Sequence, residues 1–302
     1  MTIELRQLRY FLAVAAERNF TRAAERLHMA QPPLSRQIQQ IEAAIGAALF
    51  DRDSRPLMLT AAGRLFHEHA VQVTQRMDRM TAVMQRFVAS ARPRFVVGFV
   101  PSIIYAGLPD LIRAFRAAAP AIEISLVEMI SLEQIEALKD GRIDAGFGRI
   151  RFDDPVVRRE VLLEERLMVA LPPGHPLLAD ERPIEFAAVA AFPLIVYPRE
   201  PRPSYADQVL SLFRDQGIEP ELVHEVRELQ TAIGMVAAEA GICIVPASVR
   251  RLDRGDVVYR DLAQLATSPI IMSYRVDDVS AELAILLRVA ARLHADWGWA
   301  AA

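Results

Sequence analysis

The 302-residue chain carries 35 basic and 38 acidic side chains, for a formal net charge of −3, and is 52% hydrophobic. That is enough apolar material for two or three globular domains, and it excludes a uniformly basic nucleic-acid binder, so any DNA contact must come from a local patch. A single lysine, Lys139, leaves Schiff-base and pyridoxal chemistry almost no candidate, and the lone Cys243 rules out an intrachain disulfide or a cysteine-built zinc site.

Charges interrupt the opening "MTIELRQLRYFLAVAAERNF", which has neither a signal-peptide core nor a cleavage site. No run reaches the roughly 18 to 20 apolar residues of a membrane span, so a cytoplasmic protein with no membrane partner is expected. In "LRQLRYFLAVAAE", Leu5, Leu8, Phe11, Leu12 and Ala15 share one helical face. Asn19 is placed to cap a second helix, "FTRAAERLHM", and a tight turn follows at His28 to Ala30. A third helix starts in "QPPLSRQIQQIE", where Pro32 suits the first turn and Leu34, Ile38, Ile41 and Ile45 form a buried stripe. Helix, short turn, helix is the helix-turn-helix pattern. The outer face then offers Gln31, Pro32, Ser35 and Arg36 near the helix start, where base edges are read in the major groove.

"LFDRDSRPLMLTAAG" predicts a two-stranded wing, with Arg52 and Arg55 as phosphate or minor-groove contacts. Thr60 caps a long helix that Pro93 ends. Phe66, Ala70, Val73, Met77, Met80, Met84 and Phe87 recur at heptad spacing along it, and such a seam calls for a partner helix, most simply from a second chain. Beyond it, apolar strands alternate with helices. The strands are read at "RFVVGFV", "IEISLVE", "RIDAGFG", "RLMVALP", "PLIVYP", "ELVHEV", "GICIVP" and "SPIIMSY", and helices near 104–118, 131–139, 205–216, 228–240 and 279–296. This predicts an α/β fold with parallel sheets covered on both faces, in two lobes that meet at a cleft. Cys243 reads as a small buried hydrophobe.

Ser102 and Ser131 each open a helix after a strand, and hydroxyls with backbone N–H groups at helix starts make an anion site without lysine. Either serine can equally be a plain helix cap. No nucleophile elbow, P-loop or full dinucleotide fingerprint is present; "GFGR" supplies Gly146 and Gly148 but no third glycine. Glu164–Glu165 and Asp153–Asp154 are read as acids on exposed connections, and His67 and His69 face apart on a helix, so neither an enzyme nor a metal site is expected. A solvated helix face, a solute-binding protein or an enzyme on a two-lobed fold remain the alternatives to a DNA-binding regulator.

The run "LRQLRYFLAVAAERNFTRAAERLHMAQPPLSRQIQQIEAAIGAALFDR", with "LTAAGRLF" after it, resembles the winged helix-turn-helix of LysR-type transcriptional regulators. "VGFVPSIIYAGLPDLIRAFR", "EALKDGRIDAGFGR", "YPREPRPSYADQVLSLF" and "ELQTAIGMVA…GICIVPAS" extend the likeness to the CatR- and BenM-like subgroup that controls catechol, benzoate and muconate catabolism. The resemblance implies a winged helix-turn-helix at 1–59, a dimerisation linker helix at 60–90, and an inducer-binding domain at 91–302. That domain would be of the type 2 periplasmic-binding-protein kind, with two Rossmann-like subdomains. Lobe I is expected at about 91–163 and 268–302, and lobe II at about 164–267.

The resemblance also implies a dimer of dimers that binds promoter DNA and RNA polymerase. It implies no cofactor, only a small carboxylate inducer such as cis,cis-muconate, with chloromuconate or benzoate as alternatives. Inducer contacts are implied at Ser102, Ser131, Pro203, Tyr205 and Leu229, with Arg149 and Glu228 nearby. Three positions depart from relatives: Ser131 stands where muconate responders commonly have Thr, Tyr205 where some have Phe, and Pro101 where some have Gly.

Overall fold

A computed structural model describes residues 3–89, 93–198 and 200–296, apart from the side chains at 83, 86, 87, 89 and 294–296. The chain divides into two compact units, Met1–Met84 and Gln85–Ala302.

The first unit opens with α1 (Leu5–Glu17), α2 (Phe20–Arg26) and α3 (Gln31–Ile45). Asn19 Oδ1 accepts the N–H groups of Thr21 and Arg22 at 2.8 and 3.1 Å, the cap its position called for. His28, at φ 52°, turns the chain through the left-handed region into α3. Leu34, Ile38 and Ile41 are fully buried against Phe11, Val14 and Ala23, about 1.5 to 3 kcal/mol of burial per side chain, whereas Ile45, expected in the same stripe, is exposed in the last turn of α3. The wing pairs β1 (Phe50–Asp51) with β2 (Met58–Leu59) in antiparallel fashion.

Thr60 Oγ1 accepts from the Gly63 N–H at the start of α4 (Ala61–Ala89), a helix of 29 residues. At about 1.5 Å per residue α4 is about 43 Å long. The first two positions of its expected seam turn inward. Phe66 packs edge-on against Phe11 at 4.8 Å and Ala70 is buried, so both belong to the core of this unit. Val73, Met80 and Met84 are exposed and Met77 is half-buried. The side chain of Phe87 lies outside the described residues.

The second unit contains β3 (Arg94–Phe99), α5 (Leu108–Ala118), β4 (Glu123–Glu128), α6 (Ser131–Lys139), β5 (Ala145–Gly148) and β6 (Val157–Leu171). Next come α7 (Phe186–Ala190), β7 (Leu194–Val196), α8 (Tyr205–Arg214), β8 (Val223–Glu225), α9 (Leu229–Ala237) and β9 (Ile242–Pro246). The chain then closes with β10 (Val258–Asp261), β11 (Thr267–Arg275) and α10 (Ala281–Asp296). Two large cores and a smaller one fill this unit. One gathers Phe95, Phe115, Phe147 and Leu286, another Leu171, Phe186, Phe213 and Ile233, and the smallest Val96, Ile135, Leu138 and Ile143.

Parallel pairing holds within each lobe: β3 with β4 and β5, and β7 with β8 and β9. The sheets are mixed rather than purely parallel, because β6 and β11 run antiparallel to each other and to their neighbours. These two long strands pass between the lobes, and their register slips at Ile270/Ile271. β6 begins at Val157, well before the "RLMVALP" run; β10, which pairs along its far half, was not foreseen. No helix among the described residues is long and apolar enough to cross a membrane.

Candidate functional site

Two places collect the residues singled out from the sequence. On α3, Gln31, Pro32 and Arg36 are exposed and Ser35 is half-buried. The inner edge of the same helix is tied down: Gln7 Nε2 on α1 donates to Gln37 Oε1 at 3.1 Å. Arg55 is exposed in the wing turn. Arg52 is not a bare cation: its Nη2 lies 2.8 Å from Glu42 Oε2, while Glu42 Oε1 accepts the Leu49 N–H at 2.9 Å. Any phosphate at Arg52 must therefore compete with a carboxylate that also holds the wing's base.

The second place is a cavity of about 1010 Å³ between the lobes, at the upper end of the roughly 300 to 1,000 Å³ common for small-molecule sites. All seven residues expected at an inducer site line it: Ser102, Ser131, Arg149, Pro203, Tyr205, Glu228 and Leu229. Lobe I presents a 3-10 turn (Pro101–Tyr105) carrying Ser102, and the first residue of α6, Ser131. Lobe II presents the starts of α8 at Tyr205 and α9 at Leu229. Helix starts from both walls thus bring positive dipole ends to one space, although the start of α8 is already capped by Ser204 and Asp207.

Arg149 organises the floor. It is 3% exposed. Its Nε donates to Ser102 Oγ at 2.7 Å, its Nη2 to Glu165 Oε2 at 2.6 Å, and its backbone N–H to Ser131 Oγ at 3.1 Å. Glu165 Oε1 in turn accepts the Ser248 N–H of lobe II at 2.7 Å. Because both serine oxygens accept from Arg149, their hydroxyl hydrogens stay free to donate to a ligand.

The glycines of "GFGR" serve packing, not phosphate binding. A Cβ on Gly148 would sit 2.6 Å from Ser131 Oγ, and one on Gly146 2.7 Å from Gln134 Oε1, so α6 approaches β5 only because neither residue has a side chain. Gln134, buried and overlooked in the sequence, secures that approach by donating to the carbonyls of Met129 and Phe147 at 3.1 and 3.0 Å.

The acid pairs need correction. Glu165 is no exposed connection residue; it is 3% exposed on β6, in the same period-2 phase as the buried Leu167 and Val169. Glu164, next to it, is the exposed member and pairs with Arg151. Asp154 lies 2.7 Å from Lys139 Nζ, so the single lysine is held in an ion pair away from the cavity. No cluster of three or more metal-ligating side chains occurs among the described residues. Burial pushes the Cys243 thiol well above its usual range, which keeps it neutral.

Comparison with known proteins agrees with this anatomy. Residues 5–64 match the bacterial regulatory helix-turn-helix protein, lysR family, and residues 89–293 the LysR substrate binding domain. The "probable cat1 operon transcriptional activator" of Acinetobacter lwoffii is 48% identical over 295 residues, 97% of either chain. The transcriptional regulator BenM of Acinetobacter baylyi is 42% identical over 275 residues, 90% of either chain. The effector binding domain of BenM, solved with its effector benzoate, superposes with a TM-score of 0.65 at 36% identity, over 70% of this chain and 97% of that one. Full-length CbnR, solved with its target DNA, gives 0.62 at 34% identity, over 96% of this chain and 99% of that one. The chain belongs to the LysR family of DNA-binding transcriptional regulators and is not an enzyme.

Proposed function

We propose that this chain is an effector-responsive activator of aromatic-compound catabolism genes. Its N-terminal unit grips promoter DNA with Gln31, Pro32, Ser35 and Arg36 in the major groove and with Arg52 and Arg55 on the backbone. Val73, Met77, Met80 and Met84 of α4, with Phe87, pair it with a second chain, and two such dimers bind neighbouring sites and engage RNA polymerase in the cytoplasm. The inducer is a small dicarboxylate, cis,cis-muconate foremost, held between the lobes by Ser102, Ser131, Arg149, Pro203, Tyr205, Glu228 and Leu229.

The observation that carries this reading is the convergence of helix starts from both lobes on a cavity floored by a buried arginine. A molecule with an anionic group at each end satisfies donors on both walls at once, so it favours one lobe spacing over another. An effector shifts an equilibrium only through such unequal affinity. The named relatives add weight: BenM has benzoate as its effector, and CbnR was solved on DNA. Calorimetric titration of the full chain with cis,cis-muconate, a chloromuconate and benzoate tests it. Micromolar binding of the dicarboxylates, tighter than benzoate, is the expected result. Binding of benzoate alone assigns the monocarboxylate as inducer, and binding of none removes the effector assignment.

A further inference from the structure

The wall that carries Ser102 is tied to the opposite lobe at both of its ends. The 3-10 turn Pro101–Tyr105 begins at the cavity, which Pro101 and Ser102 line, and ends at Tyr105, which does not line it. A second 3-10 turn, Ala247–Leu252, follows β9 in lobe II, and the two turns lie against each other. At the near end the connection runs from Ser102 Oγ through the Arg149 side chain at 2.7 Å and Glu165 at 2.6 Å to the Ser248 N–H at 2.7 Å. At the far end Arg251 Nη1 donates to the Tyr105 carbonyl at 3.1 Å. Tyr105 and Ile150, the residue after Arg149, also pack against the core of lobe II, although both belong to lobe I.

Ser102 and Tyr105 are three residues apart, as are Ser248 and Arg251. A 3-10 turn repeats every three residues, so each turn presents both of its tied residues on one side. The bonds therefore close a ring across the lobes, from Ser102 to Arg149, Glu165 and Ser248, along the second turn to Arg251, and back through Tyr105. A short turn held at one end pivots about it; held at both ends, it keeps Ser102 Oγ in one place before any ligand arrives. Ordering done in advance is not charged to binding.

We infer that Arg251, which lies outside the cavity lining, is a positioning residue for the effector. By holding the far end of the 101–105 turn it sets Ser102 for the ligand and makes effector binding depend on a contact between the lobes. The inference rests on the proposed function and deepens it.

The full chain and its Arg251→Ala, Arg251→Lys, Ser102→Ala and Arg251→Ala/Ser102→Ala variants test this. Affinity for cis,cis-muconate and benzoate is read from the ligand-induced rise in Tm over a concentration series, which still responds to weak binding. Arg251→Ala is expected to lose about three- to tenfold in affinity, the worth of one hydrogen bond, with Tm unchanged in the absence of acid. Arg251→Lys, which keeps a donor on a long stem, is expected to recover part of the loss. Adding Arg251→Ala to Ser102→Ala is expected to cost nothing further, because the group being positioned is gone. Unchanged affinity in Arg251→Ala, an equal loss in the Ser102→Ala background, or a lysine variant no better than alanine overturns the inference. A wild-type chain that binds neither acid defeats the proposed function itself, a separate failure seen before any variant is made.

Discussion

The outer face of α3 and the floor of the cleft are both polar, yet they are built in opposite ways. Gln31, Pro32 and Arg36 stand in solvent with no imposed geometry, whereas Arg149 is locked by Ser102, Glu165 and its own backbone bond to Ser131. A solvated face binds by giving up water and side-chain freedom against a partner that supplies the geometry, so its affinity depends on salt. A buried network has met those costs during folding and discriminates by shape and charge instead. Substitutions on α3 are therefore expected to leave the fold alone and change recognition. Substitutions under the cleft are expected to reach the fold as well.

The largest effect that would sharpen this contrast is at Glu165. Glu165→Ala leaves the Arg149 cation buried without its counter-charge, which costs about 3 to 5 kcal/mol of stability; denaturant unfolding reads it. A loss below about 1 kcal/mol, the range of exposed pairs, would erase the distinction. Ser102→Ala with Ser131→Ala is expected to abolish the inducer response in a promoter-reporter assay while mobility shifts on DNA persist. Survival of induction would misplace the cleft.

Arg36→Ala is next, at about 1 to 3 kcal/mol of specific DNA affinity with effector affinity and Tm unchanged; equal operator affinity would refute its assignment. Met80→Asp with Met84→Asp adds charge to the exposed part of α4, and light scattering is expected to show smaller assemblies. An unaltered oligomer would place the interface elsewhere. The smallest effect belongs to Arg52→Ala, under about 1 kcal/mol of stability, since its partner Glu42 keeps its backbone bonds and the arginine is partly solvent-screened.

How legible each region was follows the same division. In the first unit, short amphipathic helices carry their own signals, so apolar periodicity and caps at Asn19 and Thr60 place helices and wing closely. Phe66 escaped because heptad spacing records only that a side is apolar, and its first turns face the unit's own core. In the second unit, the cleft serines were readable as helix openings after strands, but Glu165 was not readable as buried. The apolar run starts that strand at Arg166, and only extending its period-2 phase back from Val169 and Leu167 gives the correct side. Its partner Arg149 precedes it by 16 residues, and nothing in local spacing announces that pairing. Gln134 was missed because a polar residue on an amphipathic helix gains meaning only when the packing around it is known. The antiparallel run of β6 against β11 was missed because alternation of strands and helices suggests parallel order, and long strands between two lobes break it.

The central claim is that a small acid held between the lobes alters how the N-terminal unit sits on DNA. Promoter DNA from upstream of the gene, titrated with the full chain and run with and without cis,cis-muconate, tests it directly. The account predicts binding in both lanes, lost as salt rises, with a shift in mobility or footprint when the acid is present. Complexes that are identical with and without each acid of the panel, or no complex at low salt, would contradict it.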